Sequence, residues 1–129
     1  MSIGGFYDWP WERFRQASRE EFAMVTHAKN LDEAEKIART FTLTGLMHKV
    51  KVPLLIVHSQ GDVVCRHQEA ERMAHEARAA GGSVTLALYP EGNHVCDNIP
   101  YKVRPMMADW MARQLRLPAD WWRHGTNAR

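Results

Sequence analysis

An aspartate and a histidine carry the chemistry this sequence suggests. Asp62 ends the polar turn Ser59-Gln60-Gly61-Asp62 that follows an apolar run, and His94 ends Pro90-Glu91-Gly92-Asn93-His94 after a second such run. A carboxylate bonded to one imidazole nitrogen fixes the ring's tautomer and stabilises the imidazolium that forms when the other nitrogen takes a proton. That is the orienting half of a nucleophilic triad, and it has work only where there is a hydroxyl or thiol to deprotonate. Taken alone, Asp62 is also an ordinary turn residue after glycine, and His94 an ordinary loop histidine. Cys65, His67, His94 and Cys96 crowd the same stretch and raise a zinc alternative, since thiolate and imidazole suit that ion. Their Cys-x-His and His-x-Cys spacings are not the usual C-x₂₋₄-C, and His94 is already claimed. Neither a metal nor a cofactor is expected.

The elements around the pair must bring it together. Val52 to His58 is a near-continuous apolar run rich in β-branched residues, which reads as a strand buried on both faces, as in parallel sheets. From about His67, Ala70, Met73, Ala74 and Ala77 recur at helical spacing, and Gly81-Gly82 stops that helix. Val84 to Tyr89 is a second strand. Strand, helix, strand is a βαβ unit with parallel strands and a right-handed crossover. Asp62 and His94 then lie in loops just past the carboxyl ends of two strands. If the strands are neighbours, their backbones run about 4.8 Å apart. The carboxyl edge is also where open α/β sheets bind ligands.

PLLIVHSQGDVV, then a helix, a strand and EGNHVCDN, resembles the last third of an α/β-hydrolase, whose chain order is nucleophile, acid, histidine. Within that fold it looks like the 2,6-dihydroxypseudooxynicotine hydrolase-like and dienelactone hydrolase-like enzymes, relatives of fungal polyketide-shortening hydrolases and fermentation-respiration-switch-type esterases. The resemblance rests on His94, Cys96 and Asn98, on Met107-Ala108-Asp109-Trp110, on the opening GGFYDW and on Thr42-Leu43-Thr44-Gly45 before Val52-Pro53. It implies an α/β fold, with Asp62 as triad acid and His94 as triad base. It also implies Val63, Cys96 and Asn98 as substrate-lining residues; read without it, Cys96 and Asn98 are packing and capping residues. The implied substrate is a small aromatic ketone or ester, cleaved at a C–C or C–O bond. The pattern lacks its nucleophile: no G-x-S-x-G occurs, and Gly81-Gly82-Ser83 sits on the wrong side of the helix.

An α/β-hydrolase sheet takes about eight strands in roughly 250 residues, whereas 129 residues show two strong strands here. The chain is therefore expected to be the C-terminal portion of such an enzyme, with its serine elsewhere and a missing N-terminal half or a second copy as partner. The rival is a non-catalytic remnant or interaction module that completes a partner's sheet. Seventeen basic against fifteen acidic residues leave a net charge of +2 with no basic stripe, so nucleic-acid binding has no support. No stretch approaches the ~20 apolar residues of a membrane span. Two cysteines make no disulfide framework, and a cytoplasmic protein is expected.

Residues 1–50 read as a helical lid or insertion, 51–117 as the βαβα part and 118–129 as a tail. Gly4-Gly5-Phe6-Tyr7-Asp8 reads as a loop leaving a strand that precedes the chain. Asp8 should cap a helix with Pro10 in its first turn and Trp11, Phe14, Ser18, Phe22 and Val25 on one face through about His27. Asn30 and Glu33 form a capping box before a second helix with Leu31, Ala34, Ile37, Ala38 and Phe41 inward. These helices form either a lid over the carboxyl edge or plain layer helices. A last helix carries Val103, Met106, Met107, Trp110, Met111 and Leu115 at core spacing, with Pro105 in its first turn or at a kink. His58 reads as a sheet-edge histidine; His27, His48, His75 and His124 read as surface residues. Trp121-Trp122 folds back on the last helix or forms an exposed patch.

Overall fold

The computed structural model describes residues 1–118 and 120. Three parallel strands, β1 (Ser2–Ile3), β2 (Leu54–Ser59) and β3 (Val84–Tyr89), lie in the order β1-β2-β3. β2 and β3 pair along their whole length, from Leu54 opposite Val84 to Ser59 opposite Tyr89. Four α-helices accompany them: α1 (Gln16–Val25), α2 (Leu31–Ala38), α3 (His67–Ala79) and α4 (Pro100–Gln114). The tail tryptophans and His124 lie outside the described residues.

Alternation along β2 builds two cores. Ile56, with Leu54 beside it, packs against Ala70, Met73, Ala74 and Ala77 of α3. Leu55 and Val57 point the other way, onto Cys96, Ile99 and the α4 residues Val103 and Trp110. The Trp110 indole N–H donates to Thr85 Oγ1 at 3.1 Å, tying α4 to β3. Each aliphatic side chain buried this way contributes about 1.5–3 kcal/mol. A helical layer therefore covers each face of the sheet, which is α/β architecture.

Several expectations change in detail. The strand expected from Val52 begins at Leu54, because Pro53 has no N–H for a ladder and Val52 is exposed. The strand expected ahead of the chain is present within it: Ser2 and Ile3 pair with Ile56 and Val57. Asp8 caps no helix, since its carboxylate accepts from Thr42 and from Arg72. The single helix expected from Pro10 to His27 is a short 3₁₀ turn, Trp11–Arg13, then an extended break at Phe14 and Arg15, then α1. Tertiary packing decides this, for Phe14 turns its ring onto Phe6 and Trp9. The Asn30 cap forms as read, its side chain accepting the Glu33 N–H at 2.9 Å, while Glu33 accepts the N–H of Lys29. Ala34 and Ala38 are buried against Trp11, but Phe41 is exposed, as are Val25, Met111 and Leu115. Pro105 lies in the second turn of α4, and Pro100 takes its first position.

Candidate active site

β2 ends at Ser59 and β3 at Tyr89, adjacent and in register, so the loops that follow leave the same edge of the sheet. Three contacts draw those loops together. Gln60 N–H donates to the Tyr89 carbonyl at 3.0 Å. The Ser59 hydroxyl donates to the Asn93 carbonyl at 2.7 Å. Gly92 packs so tightly that a Cβ there would stand 2.5 Å from Ser59 Cβ and 3.1 Å from Cys96 Sγ. A side chain at residue 92 would push the histidine loop away from the aspartate loop.

Asp62 and His94 meet as their spacing suggested. His94 Nδ1 lies 2.9 Å from Asp62 Oδ2. The other carboxylate oxygen, Oδ1, accepts the backbone N–H groups of Val64 (2.9 Å) and Cys65 (2.8 Å). The Asp62 side chain is wholly buried, whereas that of His94 is 41 % exposed. Burial, the largest single influence, pushes the Asp62 carboxyl up; the Cys65 N–H, the His94 imidazole and the Val64 N–H together outweigh it and hold the group below its ordinary 3.8. The result is an ionised buried carboxylate that orients an imidazole, whose Nε2 is left for other chemistry.

The turn holding His94 is strained. Val95 (φ 52°) and Cys96 (φ 56°) both adopt the left-handed region, which is rare for a β-branched residue. Asn98 staples this turn: its Oδ1 accepts the Asn93 N–H at 2.8 Å and its Nδ2 donates to the Glu91 carbonyl at 2.9 Å. Cys96 is buried with Leu55 and Val57 between the sheet and α4, and burial raises its thiol pKa. Val63, beside Asp62, is 91 % exposed.

One histidine differs from its sequence reading. His58 lies inside the central strand, fully buried, rather than at a sheet edge. Its Nε2–H donates to the Cys65 carbonyl at 2.8 Å and lies 3.7 Å from Asp62 Oδ2, while its buried Nδ1 has no hydrogen-bond partner. Cys65 is thus gripped at its N–H by Asp62, at its carbonyl by His58 and at its thiol by the Gly5 carbonyl. No spacing in the sequence marks this arrangement, because it depends on how the loop at 60–65 folds back. The surface readings of His27, His48 and His75 agree with their exposure.

Among the described residues, no three His, Cys, Asp or Glu side chains gather as a metal site requires. Burial, then the charges of Asp62 and Glu69, push the Cys65 thiol up to about 12. No helix of the described residues is long and apolar enough to cross a membrane.

The family model that matches this sequence is that of the prolyl oligopeptidase family, over residues 2–117. None of the curated proteins matches it. Two solved structures of Pyrococcus horikoshii acylaminoacyl peptidase are similar. The uncomplexed one has a TM-score of 0.57 at 18% identity, over 88% of this chain and 20% of that one. The orthorhombic crystal form has a TM-score of 0.47 at 22% identity, over 70% of this chain and 15% of that one. The first likeness concerns the fold: parallel strands between helices, as in part of an α/β-hydrolase. The chain spans a fifth or less of the length of these structures.

Proposed function

The chain belongs to the prolyl oligopeptidase family, and from that membership we propose that it supplies the acid and the base of a serine hydrolase triad, Asp62 and His94. The observation that carries this reading is the 2.9 Å contact between His94 Nδ1 and a buried, ionised Asp62. Nε2 of His94 takes the proton from a serine hydroxyl as its oxygen attacks a carbonyl carbon, and returns that proton to the leaving group. Asp62 stays ionised throughout. The serine is assigned to a segment outside these 129 residues, which contain no G-x-S-x-G. Ser59, at the end of β2, is buried and already bonded to the Asn93 carbonyl.

The substrate is proposed to be a small acyl compound. The likeness to 2,6-dihydroxypseudooxynicotine hydrolase-like and dienelactone hydrolase-like enzymes favours an aromatic ester or ketone, cleaved at C–O or C–C. The family's name adds amides to that class. Val63 lines the substrate directly; Cys96 and Asn98 act through the shape of the loop that carries His94. A cytoplasmic setting fits two buried free thiols. Partners in this reading are the small-molecule substrate and the serine-bearing segment or a second copy, with neither nucleic acid nor membrane.

In the serine-bearing enzyme, His94→Ala is expected to lower kcat by about a thousandfold or more with the circular dichroism spectrum kept. Ester hydrolysis within about twofold of the parent would remove His94 from the mechanism. One observation favours a second reading, a non-catalytic module that completes a partner's sheet: β1 has a strand neighbour on one side alone among the described residues. That reading expects His94→Ala to leave the module's function unchanged.

A further inference from the structure

Beside Asp62 lies a cavity of about 640 Å³ whose lining is charged in one sense. Arg13 reaches it from the end of the 3₁₀ turn, Arg15 from the break before α1, and Arg66 from the N-terminal end of α3. Phe14, Val63 and Val64 supply its apolar walls, and no carboxylate lines it. The chain as a whole carries a net charge of +2, so three arginines in one cavity are a marked local excess. The Arg and Lys ion pairs among the described residues engage Arg39, Arg72 and Lys102, which leaves the three cavity arginines without a carboxylate partner. Arg19, their neighbour on α1, is occupied by the carbonyls of Trp11 and Glu12.

We infer that this cavity binds a carboxylate carried on an apolar body, as an anionic group of the substrate. The inference rests on the hydrolase reading, because it takes the ligand to be what Asp62 and His94 help to cleave. Unpaired guanidinium groups offer planar, paired N–H donors that fit a carboxylate. A cleft walled by apolar side chains focuses their field and raises the local concentration of an anion. Phe14, Val63 and Val64 select for an aryl or branched alkyl body over a bare oxyanion. Val63 and Val64 follow the triad acid directly, so a ligand seated here lies against the loop that holds Asp62.

The test is binding to the whole 129-residue chain, followed through backbone amide chemical shifts, with phenylacetate as probe. Its neutral analogue phenylacetamide and inorganic phosphate serve as comparisons. Phenylacetate is expected to shift amides in residues 13–18 and 63–66, with an affinity that falls as salt is raised. The triple variant R13Q/R15Q/R66Q is expected to weaken it about tenfold or more and to keep the remaining spectrum. Phenylacetamide should leave those amides in place, and phosphate should bind more weakly than phenylacetate. Equal binding of phenylacetamide, or unchanged binding by the triple variant, overturns the site. Phosphate binding as tightly as phenylacetate overturns the assignment to a carboxylate on an apolar body. Because the readout is binding without turnover, its failure is separate from any failure of His94→Ala to lower kcat.

Discussion

Asp62 divides its two oxygens between two tasks. Oδ1 closes its own loop through the Val64 and Cys65 N–H groups, and Oδ2 holds the ring of His94. The carboxyl therefore titrates below 3.8 in the fold, and linkage sets the sign of its effect. Its ionised form stabilises the folded chain above the unfolded value, and that contribution is lost as pH falls through the lower folded value. In urea unfolding, the deficit of Asp62→Asn relative to the parent should be constant between about pH 5 and 7 and shrink progressively below 3.8. A deficit that keeps its size in acid would show that the fold does not hold this carboxyl ionised. Both members of the pair were legible in the sequence because each lies in a loop just past a readable strand. The place of His58 was not, since burial beside Asp62 depends on how the loop at 60–65 folds back. Nor did sequence show that Asn98 spends its amide on the loop, as the residue type suits a staple and a ligand contact equally.

At the scale of elements, β2 and β3 stood out as short, largely apolar runs and α3 as an apolar stripe at helical spacing. β1, with two residues, has no period to detect; only pairing with Ile56 and Val57 makes it a strand. The helix drawn from Pro10 to His27 failed where Phe14 gave up helical spacing for an aromatic cluster. The meeting of the two site loops depends on a feature that sequence marks only as a turn, the missing side chain at Gly92. Gly92→Ala places a methyl 2.5 Å from Ser59 Cβ, an overpacking expected to cost about 1–3 kcal/mol in urea unfolding. It should also perturb the His94 imidazole resonances. A variant as stable as the parent, with those resonances unmoved, would contradict the close packing described.

Across the whole molecule, β2 is the shared wall of both cores. Leu55 serves the α4 side and Ile56 the α3 side, and both are essentially inaccessible. Leu55→Ala and Ile56→Ala should each cost about 2–5 kcal/mol, against a total of about 5–15 kcal/mol for ordinary domains. Both changes should lower the urea midpoint of one common transition. If one of them melts a single helix layer and spares the other, the two cores are not coupled through the strand.

The opening residues are held by contacts with chain far along in sequence. Ser2 and Ile3 pair with β2, Gly5 receives the Cys65 thiol, Asp8 meets Arg72, and Tyr7 bonds to Glu76 beneath the Arg72 guanidinium, 4.1 Å from its ring. Between the two segments the chain passes through the exposed turn at Gly45. The covalent link through that turn, which also carries α1 and α2, acts as a tether: it raises the concentration of one segment as seen by the other. Joining the two segments through a different pair of ends would keep the same set of partners around Asp62, so the order in which they are spelled along the chain is a separate matter from the site they build.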